Sequence, residues 1–322
     1  MSMAPCNTTK TASGKCPSPR VAVLLCTYNG EKFLKDQLMS IDKQTHDNIS
    51  IWVSDDGSND GTIEIIRDFQ KLCGKDITVL RGPRKGYAAN FLSLLCNSDI
   101  TADYFSFADQ DDIWNEQKLS LALKKISGAN LDTPSLYCSR TAIIDEDGTQ
   151  RGFSPLFSNK PCFQNALVQS IGGGNTMLLN NAARALIASI GENVTIVSHD
   201  WWAYLVVTGA GGQVFYDPSP LVEYRQHSSN VFASNIGFRA RLKRAASMLN
   251  GTFHDWVSTN LSALAIRKDF LSNDNRCVFR DFSIARNKWL IPRLYYMKKS
   301  GIYRQTKIDN IALLAAAFLN KI

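Results

Sequence analysis

The sequence predicts an α/β fold: a doubly wound, mostly parallel sheet flanked by helices, with a basic helical region after it. Three observations carry that expectation. From residue 20, strand-like and helix-like segments alternate three times before a fourth strand, the pattern of a doubly wound domain. The first strand holds six apolar residues in a row, from Val21 to Cys26, which suits a central parallel strand covered on both faces. The first, second and fourth strands run into polar clusters at their carboxyl ends, where open α/β sheets bind ligands.

The first strand ends in Thr27, Tyr28, Asn29 and Gly30, and a helix is expected over 31–41 with Leu34, Leu38 and Ile41 on one face. A second strand over 49–53 opens into a polar loop carrying Asp55 and Asp56, and the next helix spaces Ile66, Phe69 and Cys73 for burial. A third strand covers 77–80, a loop runs from Gly82 to Gly86, and a third helix is expected over 87–96. The fourth strand alternates Tyr104, Phe105 and Phe107 and delivers Asp109, Asp111 and Asp112 within four positions. Carboxylates crowded at a buried strand end repel one another unless something positive sits among them. A hard divalent cation bridging phosphate oxygens, or the hydroxyls of a sugar, meets that need. The plainer alternative is a set of solvated acids, with Asp112 or Asn115 capping the next helix. No G-x-G-x-x-G follows the first strand, which argues against a classical dinucleotide site, and no G-x-x-x-x-G-K-[ST] occurs, which excludes a P-loop.

Further along, 135–138 reads as a strand and 143–148 as a strand entering a turn at Asp147-Gly148. Gly172, Gly173 and Gly174 shortly precede the apolar run 177–179; they either let backbone approach a sugar closely or form a flexible linker.

Composition bounds the answer. The 322 residues, 44% hydrophobic and 20% charged, suit a soluble globular enzyme of one sizeable or two modest domains. No apolar run reaches the roughly 18 residues that span a bilayer. Residues 1–19 are rich in Ser, Thr and Pro without an apolar centre, so a disordered tail is expected there rather than a signal peptide. The eight cysteines show neither CxxC nor finger spacing, which points to reduced thiols and a reducing cytoplasm. From Ile236 onward, 16 cationic side chains face 5 acidic ones, an excess of eleven, so the overall +7 leaves −4 for the first 235 residues. That asymmetry places a boundary near 235.

The succession VAVLLCTYNGEKFL, WVSDDGSNDGT, RKGYAANF and FADQDDIW resembles family 2 glycosyltransferases of the GT-A fold, most of all the bacterial rhamnosyltransferase-like subgroup that builds surface polysaccharides. The resemblance runs over about residues 20–230. It implies that Thr27, Tyr28 and Asn29 border a nucleoside, although Asn-Gly is also a common turn pair. It implies that Asp55 and Asp56 hold base and ribose, with an Asx-turn or capping role as the alternative. Lys85, Gly86 and Asn90 match a segment near base and diphosphate, where a cation and a glycine suit phosphates; a surface loop is the alternative. Asp109 and Asp111 match the Asp-x-Asp motif, one reaching ribose or metal and the other ligating a divalent cation, Mg²⁺ or Mn²⁺. The glycine run with Gly173, Gly174 and Asn175 falls near donor and acceptor sugars.

Asp200 matches the family's catalytic base, within His199-Asp200 where Glu-Asp is common; an acid in a first helical turn is also favoured by the helix dipole alone. His199 could titrate near neutrality or be a polar neighbour. Trp201 and Trp202 form an apolar floor for sugar faces or belong to the core. Arg225 is expected near the diphosphate, and His227 as a metal or phosphate ligand or an unremarkable loop histidine. The expected organisation is a tail over 1–19, a catalytic domain over 20–235 and a basic helical region over 236–322. Within the last, 238–244 and 286–299 mix cations with aromatics. They suit either peripheral attachment to the anionic inner face of the cell membrane or a solvated bundle packed on the catalytic domain. Nucleic acid has no supporting motif.

The resulting expectation is an inverting, metal-dependent transferase. It would move L-rhamnose from dTDP-L-rhamnose, or else a hexose from a UDP-sugar, onto a saccharide or lipid-linked acceptor. The rival from another class is a non-catalytic nucleotide-sugar-binding subunit of an assembly complex.

Overall fold

A computed structural model describes residues 18–227 and 250–322. Val21–Thr27 (β1) is buried along its whole length. Ile49–Asp55 (β2) and Tyr104–Ala108 (β4) lie parallel to it on either side, and Asp76–Arg81 (β3) lies parallel outside β2. Thr27 is in register with Asp55 and Leu25 with Ala108, so the polar residues after these strands leave the sheet at nearly one level. Strand order reverses at β1, the switch point at which such sheets open a crevice.

Leu34–Asp42 (α1), Thr62–Leu72 (α2) and Tyr87–Cys96 (α3) join these strands. Leu34, Leu38 and Ile41 are fully buried, as their spacing predicts. The first helix starts at Leu34 rather than residue 31, because Phe33 and Leu34 both donate to the Gly30 carbonyl and close a turn first.

Beyond β4 the sheet turns mixed. Leu178–Asn180 (β8) pairs antiparallel with β4, Ser135–Ile144 (β6) antiparallel with β8, and Gln213–Arg225 (β9) parallel with β6. Ile113–Trp114 (β5) pairs antiparallel with β9, and Gln150–Phe153 (β7) antiparallel with β6. Among the described residues the order is β3-β2-β1-β4-β8-β6-β9-β5 with β7 beside β6. The two short strands expected at 135–138 and from 143 are one strand. It is bulged where Ser139 and Arg140 step from Asp217 to Pro220 across β9, an irregularity that polar residues and prolines impose.

Lys118–Ile126 (α4), Phe163–Ala166 (α5), Asn181–Ile190 (α6) and His199–Gly209 (α7) complete this half. α7 is buried on nearly every side, as a helix without a polar face must be. Thr252–Ile266 (α8), Asn273–Arg286 (α9), Leu290–Ser300 (α10) and Lys307–Phe318 (α11) follow. Phe253, Val257, Leu264, Phe282 and Leu313 from these helices share one core with Trp202, Leu205 and Val206 of α7. The expected boundary near 235 and the basic stretch 238–244 lie outside the described residues. The stretch 286–299 forms the end of α9 and most of α10, divided at Trp289, the N-cap of α10.

Candidate active site

The loop after β2 is closed by its own acids. Asp55 Oδ1 accepts from the Thr27 hydroxyl at 2.9 Å and from the Ser58 hydroxyl, while Oδ2 accepts from the backbone N–H groups of Gly57 at 3.1 Å and Ser58 at 2.9 Å. Those four bonds fill the roughly four acceptor positions of a carboxylate, so Asp55 makes the Asx-type turn. Asp56 accepts from the N–H groups of Arg84 and Gly86, which draws the Lys85 loop against the end of β2. Gly86 has φ +85°, a left-handed conformation suited to glycine. Lys85 is exposed. Asn90 is buried, its amide donating to the Ser54 carbonyl at 2.9 Å and accepting from the Ser54 hydroxyl. It therefore anchors α3 to β2.

Gln110 joins the β1 turn to the acidic loop. Its Oε1 accepts from the Tyr28 N–H at 2.8 Å and its amide donates to the Tyr28 carbonyl at 3.0 Å. Asn29, at φ 48°, accepts from the Asn59 N–H at 3.0 Å and ties the same turn to the β2 loop. The Tyr28 ring is left exposed.

The acids of the fourth strand sit in one electrostatic field with Asp200. Burial, then Asp111 and then Asp200, push the Asp109 carboxyl up to about 8. Asp109 and Asp56 both act on the buried Cys26 thiol, and Asp200 and Asp109 both act on the Tyr87 hydroxyl, each raising it after burial has done most. These shared neighbours bring the ends of β2, β4 and α7 to one place. Asp111 Oδ2 lies 2.8 Å from His227 Nε2, and the His227 ring packs 5.1 Å from that of Phe33.

Asp200 stands in the first turn of α7. Its Oδ1 accepts from the Ser198 hydroxyl and, at 2.6 Å, from the Trp201 N–H. Burial raises its carboxyl above the usual range, opposed by those bonds and by the Gly174 N–H. His199 does not titrate near neutrality: burial pushes it down to about 3. Its ring stacks on Phe91 at 3.8 Å and meets Phe107 edge-on at 4.7 Å, and neither ring nitrogen finds a hydrogen-bond partner.

The glycine run approaches this histidine rather than standing clear as a linker. A Cβ at Gly174 would fall on His199 Nε2, and one at Gly173 would lie 2.6 Å from Asn175 Oδ1. Asn175 donates its amide to Asp112, and its own Oδ1 is buried without a partner. Trp201 and Trp202 are core residues. The Trp201 indole donates to the Ala166 carbonyl at 2.6 Å and Trp202 is fully buried, so of the two readings, floor for sugar faces or core, the rings take the core.

Arg225 is buried and braces the acidic loop. Its guanidinium reaches the Asp111 carbonyl at 3.2 Å, the Glu146 carbonyl at 2.8 Å and the Asp36 carboxylate at 3.2 Å, and its own N–H donates to Asp112 at 3.3 Å. Two residues that sequence reasoning passed over thus organise the site. Asp112, counted among the crowded acids with a helix cap as the plainer alternative, is fully buried and bonds Asn175 and the Arg225 backbone; Gln110, inside the acidic motif, closes the β1 turn. Their flanking acids were the only signal for either.

The chain is similar to known proteins in sequence and in fold. Over 311 residues the chain is 28% identical to the dTDP-rhamnosyl transferase RfbG of Shigella flexneri, covering 92% of this chain and 99% of that protein. Among solved structures it resembles S. aureus TarS in complex with UDP-GlcNAc, with a TM-score of 0.54, 14% identity and coverage of 93% and 91% of the two chains. It also resembles the mannosyltransferase PcManGT from Pyrobaculum calidifontis in complex with GDP-Man and Mn²⁺, with a TM-score of 0.50, 16% identity and coverage of 98% and 90%. At those identities the likeness speaks for the fold, which is GT-A. Residues 22–182, half of the chain and the whole stretch from β1 to the start of α6, match the description "Glycosyl transferase family 2", and the chain belongs to that family.

Proposed function

We propose that this protein is an inverting, divalent-metal-dependent glycosyltransferase. It moves L-rhamnose from dTDP-L-rhamnose onto a saccharide or lipid-linked acceptor in bacterial surface polysaccharide synthesis. The family supports glycosyl transfer, and the relative from S. flexneri supports the donor. The observation that carries the reading is the cluster of Asp109, Asp111 and Asp200, where burial and mutual repulsion hold a carboxyl near pH 8.

Among the described residues no three His, Cys, Asp or Glu side chains form a ready-made ligand set. Mg²⁺ and Mn²⁺ need none here: one or two carboxylates suffice when substrate phosphates and water complete the shell. Asp111 and Asp109 fit that donor set, and His227, bonded to Asp111, ligates beside it or fixes its orientation. The bound cation would supply neutralisation of the charge growing on the departing diphosphate.

The chain's own residues do the rest. Asp200 takes the proton of the acceptor hydroxyl, and its raised affinity for protons suits a base working near neutrality. Ser198 and the Trp201 N–H hold its carboxylate in place. Asp56, with two of its acceptor positions used against four for Asp55, is the acid with capacity left for a base N–H or ribose hydroxyl. Thr27, Tyr28 and Asn29 border the nucleoside, and Lys85 and Gly86 approach the diphosphate from the loop that Asp56 secures. The exposed Gly173 lies near the sugars, with Gly174 and Asn175 buried behind it. Attachment of the C-terminal region to the inner face of the cell membrane would bring the enzyme to a lipid-linked acceptor.

A thermal-shift series of nucleotide sugars with and without divalent cation tests the donor, since a ligand raises apparent stability by mass action. dTDP-L-rhamnose with cation should give the largest shift; a larger shift with a UDP-hexose would reassign the donor, and none at all would overturn the reading. Asp200→Asn should lower turnover by about 10²–10⁴-fold while donor affinity holds. Unchanged transfer would reject Asp200 as the base.

A further inference from the structure

The solvent face of α11 is built the wrong way round for a surface helix. Ile308, Ile311, Leu314, Phe318 and Leu319 are each more than half exposed. At 100° per residue they fall, with Ala315, on one continuous arc, and Lys307 is the only charge on it. The buried side of the same helix is already satisfied by Leu313, Ala316 and Ala317. The neighbouring helix α10 does likewise: Trp289, Ile291 and Tyr295 are each about two-thirds exposed, while Arg293 and Met297 point inward. Arg293 locks the two helices together, donating to the Ala317 carbonyl at 2.9 Å. Exposed apolar side chains in such a contiguous set mark an interaction surface.

Charge decides what covers it. Over residues 290–322 there are six Lys and Arg against a single acid, Asp309. That acid is engaged with the Thr306 hydroxyl at the start of α11. Arg293 and Arg304 are buried and Lys299 is paired with Asp281 at 3.2 Å, which leaves Lys298 and Lys321 exposed beside the apolar face and Lys307 on it, together with Lys288 just before α10. A second copy of this chain would set like charge against like charge across a twofold contact. The segment 228–249 would do the same, since it carries four cations and no acid. An anionic bilayer meets both requirements, with headgroups for the lysines and acyl chains for the isoleucines and Phe318. Trp289 and Tyr295 are the side chains that favour the interface between them.

We infer that α10 and α11 dock the enzyme onto an anionic membrane surface by inserting the Ile311–Phe318 stripe, with the lysine rim setting the preference for anionic lipid. No helix among the described residues is long and apolar enough to cross a membrane, so the contact lies in the interface plane. This deepens the proposed function by naming the surface that brings the active site to a lipid-linked acceptor, and it rests on that reading only for its purpose. Because apolar insertion is not screened by salt, part of the binding persists at high ionic strength, unlike attachment by charge alone.

The test is vesicle flotation of the full chain with phosphatidylcholine vesicles, with and without phosphatidylglycerol, alongside nucleotide release from the donor in solution. Wild type should float with anionic vesicles and keep part of that binding in high salt. The double variant Ile311→Ser, Phe318→Ser should bind on the order of tenfold or more weakly with unchanged donor turnover. Lys298→Glu with Lys307→Glu should lose the preference for phosphatidylglycerol. No flotation of wild type, or undiminished flotation of the serine variant, would overturn the inference. So would a concentration-dependent dimer that the serine variant abolishes, since the face would then belong to a second copy. Flotation without turnover of any nucleotide sugar would instead remove the proposed function and leave the docking surface standing.

Discussion

The imidazole of His199 is kept neutral by the aromatic rings around it, and that has a consequence for stability with a definite sign. Its folded pKa, about 3, lies below the ordinary 6.5, so the unfolded chain takes up the proton first as pH falls. The stability tied to this group is complete above pH 6.5 and drains away between 6.5 and 3. The raised carboxyls of Asp109 and Asp200 act in the opposite direction over acid pH. Comparing wild type with His199→Phe therefore isolates the term: the urea midpoint of wild type should fall more steeply from pH 6.5 to 4 than that of the variant. Parallel slopes would mean that His199 is not buried neutral. Asp200 gives a second expectation. If it is the base, the acid limb of the pH–turnover profile should lie above the ordinary carboxylate value of 3.8; a limb at or below that value would contradict the burial of its carboxyl.

At the scale of elements, the turn Gly174–Thr176 and the first turn of α7 are fitted to each other. Gly174→Ala drives a Cβ into His199 Nε2 and disturbs the N–H that faces Asp200, so denaturant unfolding should show a loss of about 1–3 kcal/mol together with slower turnover. Gly172→Ala, whose Cβ would meet Cys138 at an ordinary 3.4 Å, should change stability by no more than about 0.5 kcal/mol. Equal effects would show that the two elements are not so closely fitted. β1, β2 and β4 were legible because each is largely apolar and ends in polar residues. β9 was not: Pro218 and Pro220 break its pattern, and only the structure shows that the strand continues through them by shifting register against β6. The acids at the strand ends were legible as a cluster, but their division of labour was not. Whether Asp55 or Asp56 keeps free acceptor capacity depends on backbone N–H groups from the Gly57–Ser58 turn and the Arg84–Gly86 loop. Trp201 and Trp202 were ambiguous for a similar reason, since an aromatic pair reads alike as floor or core until its neighbours are known.

Across the whole molecule, the C-terminal helices share one hydrophobic core with α7, so the catalytic half does not own its core. A chain ending at residue 250 would remove Phe253, Val257 and Leu264 from the core they share with α7. It should bind a hydrophobic dye and lose cooperative unfolding, and a sharp two-state transition in that fragment would show that the core is separable. The central claim is that the carboxylates brought from β2, β4 and α7 form one site for a cation and a nucleoside diphosphate. Calorimetric titration of dTDP into wild type and Asp111→Asn, each with and without Mn²⁺, tests it most directly. Wild type should bind dTDP at least tenfold more tightly with the cation, and the variant should lose that enhancement while keeping its fold. An enhancement undiminished in Asp111→Asn would contradict the account.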